Sequence, residues 1–299
     1  MARRQERAHF GQVIQAWLVI AVIGWAGVAQ AGGNDLILYR LGECTFETVN
    51  GRDTCVSVTP DNQGFELLTR DLGLSLSPKG LSTAETIGEA GFEYAYELIF
   101  NVVDASTDYW EAAVEDEDPN DLLLVSQLHV TKGLPFSFEI GAVLSHLSDS
   151  GIWGLGAELS WAFHEDFFYP VPDLGIRGFV NHTLGASDLS LTTAGFDVLV
   201  DLPFGVNGVV QLTPYAGYNF TAVFAASRLL DASPGDPTPA VEGVDNQPSI
   251  KPEFVFEPIT NVYHRGLVGV RLRYAVLNFT LETLFGDVTT VSLKLGLDF

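Results

Sequence analysis

The chain has 299 residues, 47% of them hydrophobic, and sets 38 Asp and Glu against 15 Lys and Arg for a net charge of −23. That acidity excludes nucleic acid as a partner, because phosphates require a basic surface. The apolar content, rich in Phe, Gly and Leu, excludes a disordered chain.

Residues 1–31 read as an export signal. Arg3, Arg4 and Arg7 precede an apolar stretch from Val13 to Val28, and Ala29-Gln30-Ala31 fits the small-x-small cleavage rule. The stretch is short for a membrane span of about 20 residues, and no stop-transfer charges follow it. Losing residues 1–31 removes three Arg and one Glu, so 32–299 keeps 12 basic and 37 acidic residues. Beyond the signal no apolar run is long enough for a membrane helix. An exported chain this hydrophobic, if it enters lipid, must therefore satisfy its backbone in a closed sheet.

Segments of alternating hydrophobicity divided by turn residues follow in sequence. They fall at 35–46, 64–76, 86–102, 121–132, 135–148, 152–164, 173–184, 189–202, 208–225, 264–276, 277–286 and 289–299. The pattern predicts an all-β chain of about 12 antiparallel strands, with about ten as the fallback because the first segment is weakest. Cys44 and Cys55 are the only cysteines; in an oxidising compartment, a pair this close forms a disulfide closing a small loop. Within 86–102, Phe92, Tyr94, Tyr96, Leu98 and Phe100 share one face and Glu89, Glu93 and Glu97 the other. Glu115-Asp116-Glu117-Asp118 reads as a solvated acidic loop, since the ligand spacing of a calcium loop is missing. In 152–164 Trp153, Leu155, Leu159, Trp161 and Phe163 oppose Gly154, Glu158 and His164. In 264–276 Val268, Val270, Leu272 and Tyr274 oppose Arg271 and Arg273. At the end of the chain Val291, Leu293, Leu295, Leu297 and Phe299 alternate with Ser292, Lys294, Gly296 and Asp298.

This last segment resembles the C-terminal signal strand of Gram-negative outer-membrane β-barrels, in which a terminal Phe helps the assembly machinery recognise its client. The resemblance implies that 32–299 is a transmembrane up-and-down β-barrel in the outer membrane of a Gram-negative bacterium. Its surroundings would be outer-membrane lipid and lipopolysaccharide, its insertion would use the barrel assembly machinery, and Leu295, Leu297 and Phe299 would form the assembly signal. Parity agrees. With Phe299 on the periplasmic side, the long segments 47–63, 103–120 and 226–263 fall outside and the short connections inside. The lumen then holds Glu89, Glu93, Glu97, Glu139, Glu158, Asp197, Asp201 and Glu282 against Arg177, Arg271, Arg273 and Lys294. Such a set is either an ion-pair network that props open and plugs a narrow barrel or a cation-preferring path.

His146-Leu-Ser148-Asp149 resembles the His-x-Ser-Asn motif of outer-membrane lipid A deacylases and phospholipase A, with Asp149 in place of the Asn. The resemblance implies His146 as general base and Ser148 as nucleophile on the lipid-facing side near the outer leaflet. Asn120, Asp121, Asp149 and Glu158 are the candidates to orient the imidazole. No cofactor or metal motif stands out, and no oligomeric state is implied. Three functions follow: a non-enzymatic narrow channel or structural barrel with an acidic lumen, an outer-leaflet lipid hydrolase, and a surface receptor or adhesin working through long outer loops. Deleting Phe299 is expected to lower the amount of protein assembled in the outer membrane, measured on fractionated cells. Unchanged levels would remove the recognition argument.

Overall fold

A computed structural model of the chain describes residues 32–49, 51–116, 119–165, 171–206, 209–234 and 252–299. The expected signal and Glu117-Asp118 of the acidic loop lie outside the described residues. The first element is a hairpin of β1 (Gly42–Val49) and β2 (Arg52–Pro60), closed by the Cys44–Cys55 disulfide. Helix α1 (Asn62–Leu76) follows, capped by Asp61, whose carboxylate accepts the Gly64 N–H at 2.9 Å.

From Phe92 onward the period-two pattern governs. Ten strands pair antiparallel in sequence order: β3 (Phe92–Val102), β4 (Leu122–Leu134), β5 (Phe138–Leu147), β6 (Trp153–His164), β7 (Asp173–Leu184), β8 (Leu189–Asp201), β10 (Val210–Ser227), β13 (Ile259–Tyr274), β14 (Leu277–Phe285) and β15 (Thr289–Asp298). Short β9 (Phe204–Val206) folds back on β10, and β11 (Leu230–Asp231) pairs with β12 (Glu253–Phe254) inside the β10–β13 connection. The ring closes where β15 meets β3, from Thr289 opposite Val102 to Asp298 opposite Glu93. At that seam Phe92 and Phe299 exchange backbone hydrogen bonds of 2.9 and 3.0 Å. The barrel thus has the fallback number of strands. Segments 35–46 and 64–76 are not barrel strands: the first becomes a 3-10 turn (Leu38–Leu41) and part of β1, the second becomes α1.

The two barrel faces sort as parity demands. Outside, Leu159, Val268, Phe279 and Leu295 are 47–58% exposed, and Tyr94, Trp161, Phe163 and Tyr274 stand on the outer wall towards one end. Such an exterior belongs in lipid. No described helix is long and apolar enough to cross a membrane. The end that holds Phe92 and Phe299 carries connections as short as 135–137 and 275–276, and the opposite end carries 103–121 and 228–258. We call these the turn end and the loop end; in such barrels short turns are periplasmic and long loops extracellular.

Residues 62–91 run the length of the lumen. Gly32–Asp35 lie at the loop end, where Asn34 N–H donates to Asp149 at 2.9 Å and Gly151 N–H to Asp35 at 2.6 Å. Helix α1 enters from that end and buries Phe65, Leu68, Leu72 and Leu76 against Ile99, Val125, Leu191 and Val223 of the inner wall. The β3–β4 connection, with helix α2 (Asp108–Ala113), covers it: Tyr109 Oη and Trp110 Nε1 both donate to buried Asp71, at 2.9 and 3.0 Å. Burial pushes the Tyr109 hydroxyl above its ordinary pKa, and the neighbouring Asp71 carboxylate adds to the shift. Residues 77–91 then continue without helix or strand to the turn end. Gly88, at φ +82°, reverses the chain into β3, and a Cβ on Gly133 would lie 1.9 Å from the Gly88 carbonyl, so glycine is required there. Because Leu72 is 1% exposed inside this core, Leu72→Ala should destabilise the barrel by about 2–5 kcal/mol. Urea unfolding in detergent, followed by tryptophan fluorescence, measures it; a midpoint equal to wild type would show that α1 is not packed in the lumen.

Candidate functional site

The chemistry-bearing side chains converge on a belt around the middle of the lumen. Glu97 on β3 accepts a very short hydrogen bond from Gln127 and faces His129 Nδ1 at 3.0 Å. The other ring nitrogen of His129 faces Glu158 on β6 at 2.7 Å. One imidazole thus bridges carboxylates from two different strands. Arg177 on β7 donates to Glu158 at 2.7 Å and, through Nε, to Asp197 on β8 at 2.8 Å. Asp197 accepts Asn219 of β10 at 2.5 Å, and Asn219 accepts Arg265 of β13 at 2.9 Å. The intervening β5 supplies Gly141, where a Cβ would sit 2.5 Å from the Glu158 side chain. Towards the turn end Lys294 forms a close ion pair with Glu93, Asn278 bridges Glu93 and Asp298 at 2.7 and 2.6 Å, and Tyr215 donates to Glu282 at 2.9 Å.

The belt also grips the segment that fills the lumen. Arg177 donates to the Pro78 carbonyl at 3.2 Å, and Asn181 to the Leu76 carbonyl at 3.2 Å. Asp201 accepts the Ala84 and Glu85 N–H groups at 2.5 and 3.2 Å, Glu165 that of Thr86 at 2.8 Å, and Glu139 that of Ile87 at 2.6 Å. Glu85 pairs with Arg271 at 2.9 Å and Arg273 at 3.6 Å, while Arg273 also reaches Asp298 at 3.2 Å. Lys79 folds back on α1 and donates to the carbonyls of Leu74, Ser75 and Ser77 at 2.7, 3.3 and 2.8 Å, satisfying groups the helix end leaves open. The cavity left between Glu93, His129, Glu139 and Lys294 measures about 10 Å³, room for about one water.

Of the lumen residues expected from parity, Glu93, Glu97, Glu139, Glu158, Asp197, Arg177, Arg271 and Lys294 are buried inside, and Arg273 lies at the turn end of the wall. Glu89 is corrected. β3 starts at Phe92, and Glu89 sits exposed in the rim turn, its carbonyl accepting Lys132 at 3.1 Å. His129, Gln127 and Arg265 escape the sequence reading although parity on their strands would have placed them inside. Lys79, Glu85 and Asp71 lie on no barrel strand and follow no such rule.

His146 and Ser148 sit at the loop end of β5. The His146 ring packs on Trp153 with centroids 4.4 Å apart, and its Nε2 meets the Ser150 carbonyl at 3.0 Å. Ser148 lies in the turn, its N–H donating to Leu124 and its carbonyl accepting Asn34. Among the described residues no hydrogen bond joins the two side chains. Of the proposed orienting groups, Asp149 accepts Gly33 N–H, Asp121 accepts Ala105 N–H, Glu158 belongs to the belt and Asn120 is exposed. The nucleophile–base contact that a hydroxyl needs for activation is not formed.

No family model matches the chain, and neither does any curated protein. Among solved structures it is similar to the attachment invasion locus protein Ail of Yersinia pestis, at 10% identity over 71% of this chain and 99% of that one, with a TM-score of 0.30. The β domain of the Bordetella autotransporter BrkA gives 12%, 71%, 99% and 0.35. Omp33 of Acinetobacter baumannii gives 9%, 72%, 100% and 0.28. Likeness this distant carries nothing about ligand or activity. The architecture speaks for itself. The chain is a closed antiparallel β-barrel, apolar outside and polar within.

Arg177 is the test of the belt, being 1% exposed and shared by Glu158, Asp197 and the Pro78 carbonyl. Arg177→Met leaves Asp197 buried without its guanidinium and Glu158 with His129 alone, which should cost about 3–5 kcal/mol. The temperature at which the compact form converts to the extended one on unheated gels should fall. Adding Asp197→Asn should recover part of the loss; an unshifted conversion temperature in the single variant would show that the belt contributes nothing.

Proposed function

We propose that the protein is a non-enzymatic structural barrel, sealed rather than conducting, whose acidic lumen binds the segment that fills it. One observation carries this reading: residues 62–91 occupy the lumen along its length, with an apolar core around α1 and charged side chains bonded to the backbone of 77–91. A path for cations needs carboxylates facing water. Here Glu97 and Glu158 are taken up by His129 and Arg177, Glu93 by Lys294, and Glu139 and Asp201 by backbone N–H groups. The excess of carboxylates over Lys and Arg in the lumen is thus matched by peptide donors rather than by mobile ions.

Full-length protein reconstituted in planar bilayers is expected to give no single-channel steps. Stable steps with cation preference, weakened by Glu93→Gln with Glu97→Gln, would restore the channel reading instead.

A further inference from the structure

We propose that this barrel carries its own N-terminal region, residues 32–61 with the disulfide-closed hairpin, through its lumen to the outer surface of the cell. The inference rests on the membrane orientation given above and goes beyond the sealed-barrel reading. Both ends of the barrel domain lie together: Phe92 begins β3 beside Phe299 at the turn end, where Gly88 turns the chain. Immediately upstream the chain does not stay at that end. It passes Asp201 and Arg271 near the rim, Arg177 in the middle and Val223 higher up, and leaves the lumen at the loop end beside Phe256 and Asn261. Residues 32–41 are then tied to loop-end backbone, Ile37 N–H to Ala113 at 2.6 Å and Leu36 bridged to Val114.

The reach suffices. The 15 residues of α1 rise about 1.5 Å each, and 77–91 add up to about 3.3 Å each, more than the apolar band of roughly 25 Å on an outer-membrane barrel. A chain exported into the periplasm therefore has its N-terminal region on the far side of the outer membrane once the barrel has formed. The hairpin beyond the barrel mouth leaves Phe46 64% exposed and nothing within 4 Å of the Gly51 Cβ position, so its tip is free for contact from outside.

The test places the same short epitope, one site per variant, in the full-length chain: after Gly51, within 235–251 of the β10–β13 connection, or within 166–170 of the β6–β7 connection. On intact cells antibody should reach the Gly51 and 235–251 tags equally, and protease added outside should remove both signals. The 166–170 tag should respond only after permeabilisation. A Gly51 tag hidden on intact cells while the 235–251 tag is reached would overturn the proposal and leave the barrel reading intact. Failure to reach the 235–251 tag would overturn the orientation itself, and the proposal with it. A second measurement needs no insertion. Because Glu85 of the filling segment pairs with Arg271 of the wall at 2.9 Å, Glu85→Lys should lower the conversion temperature on unheated gels, and adding Arg271→Glu should recover part of the loss. No coupling between the two positions in assembled protein would overturn the passage through the lumen.

Discussion

A peptide group that enters hydrocarbon without a hydrogen-bond partner costs several kcal/mol. That penalty forces the sheet into a ring and makes the β15–β3 seam as necessary as any hairpin. A closed ring in turn fixes parity, because successive side chains must point alternately to lipid and to lumen. Leu, Phe and Trp go outward for that reason, and Glu, Asp and Arg on the same strands have only the interior left to them. Ten strands enclose a bore narrow enough for one segment of chain to fill.

The filling segment brings a backbone of its own, and its conformation explains why the lumen changes character along its length. A helix satisfies its interior peptide groups internally. Where α1 lies, the wall can therefore be apolar, and Ile99, Val125, Leu191 and Val223 replace the polar residues usual in such a lumen. A segment without helix or strand lacks those internal partners. Where 77–91 runs, the wall must supply them, and Asp201, Glu139, Glu165, Arg177 and Asn181 do so. Lys79 stands at the junction, using its three N–H groups on the last carbonyls of the helix.

Where secondary structure is dictated by lipid, it was legible in sequence. The alternation of 173–184 coincides with β7, and those of 189–202 and 277–286 miss β8 and β14 by one residue at the end. The Cys44–Cys55 pairing also follows from counting alone. The failures lie upstream of Phe92. Leu72, Leu74 and Leu76 alternate locally and suggest a strand, yet Phe65, Leu68, Leu72 and Leu76 fall at helical spacing behind the Asp61 cap. From Asp71 to Leu76 every position is buried, so the second half of the segment offers no exposed face to break the tie. Because 35–46 and 64–76 leave the barrel together, parity downstream survives, and with it most of the lumen assignment. Arg265 lies within 264–276 on the inward parity, so the alternation already reached it, while the early start given to β3 misplaces Glu89. The His146–Ser148 resemblance matches spacing along a strand, but β5 ends at Leu147 and Ser148 falls in the turn before Asp149, at φ +55°, while the His146 ring meets the Ser150 carbonyl.

Long connections are ordinarily where sequence drifts fastest, because little of the scaffold depends on them. This barrel gives up that freedom. Trp110, Ala113 and Val114 in one connection and Leu230, Phe254 and Phe256 in another are buried in the same core as α1, with Phe256 stacked on Phe65 at 4.4 Å. A change at these positions would loosen the helix that fills the bore. Freedom to vary is thereby left to outward positions such as Asp104, Asp108 and Glu111, while the inward half of each loop is held to the sequence that the lumen requires.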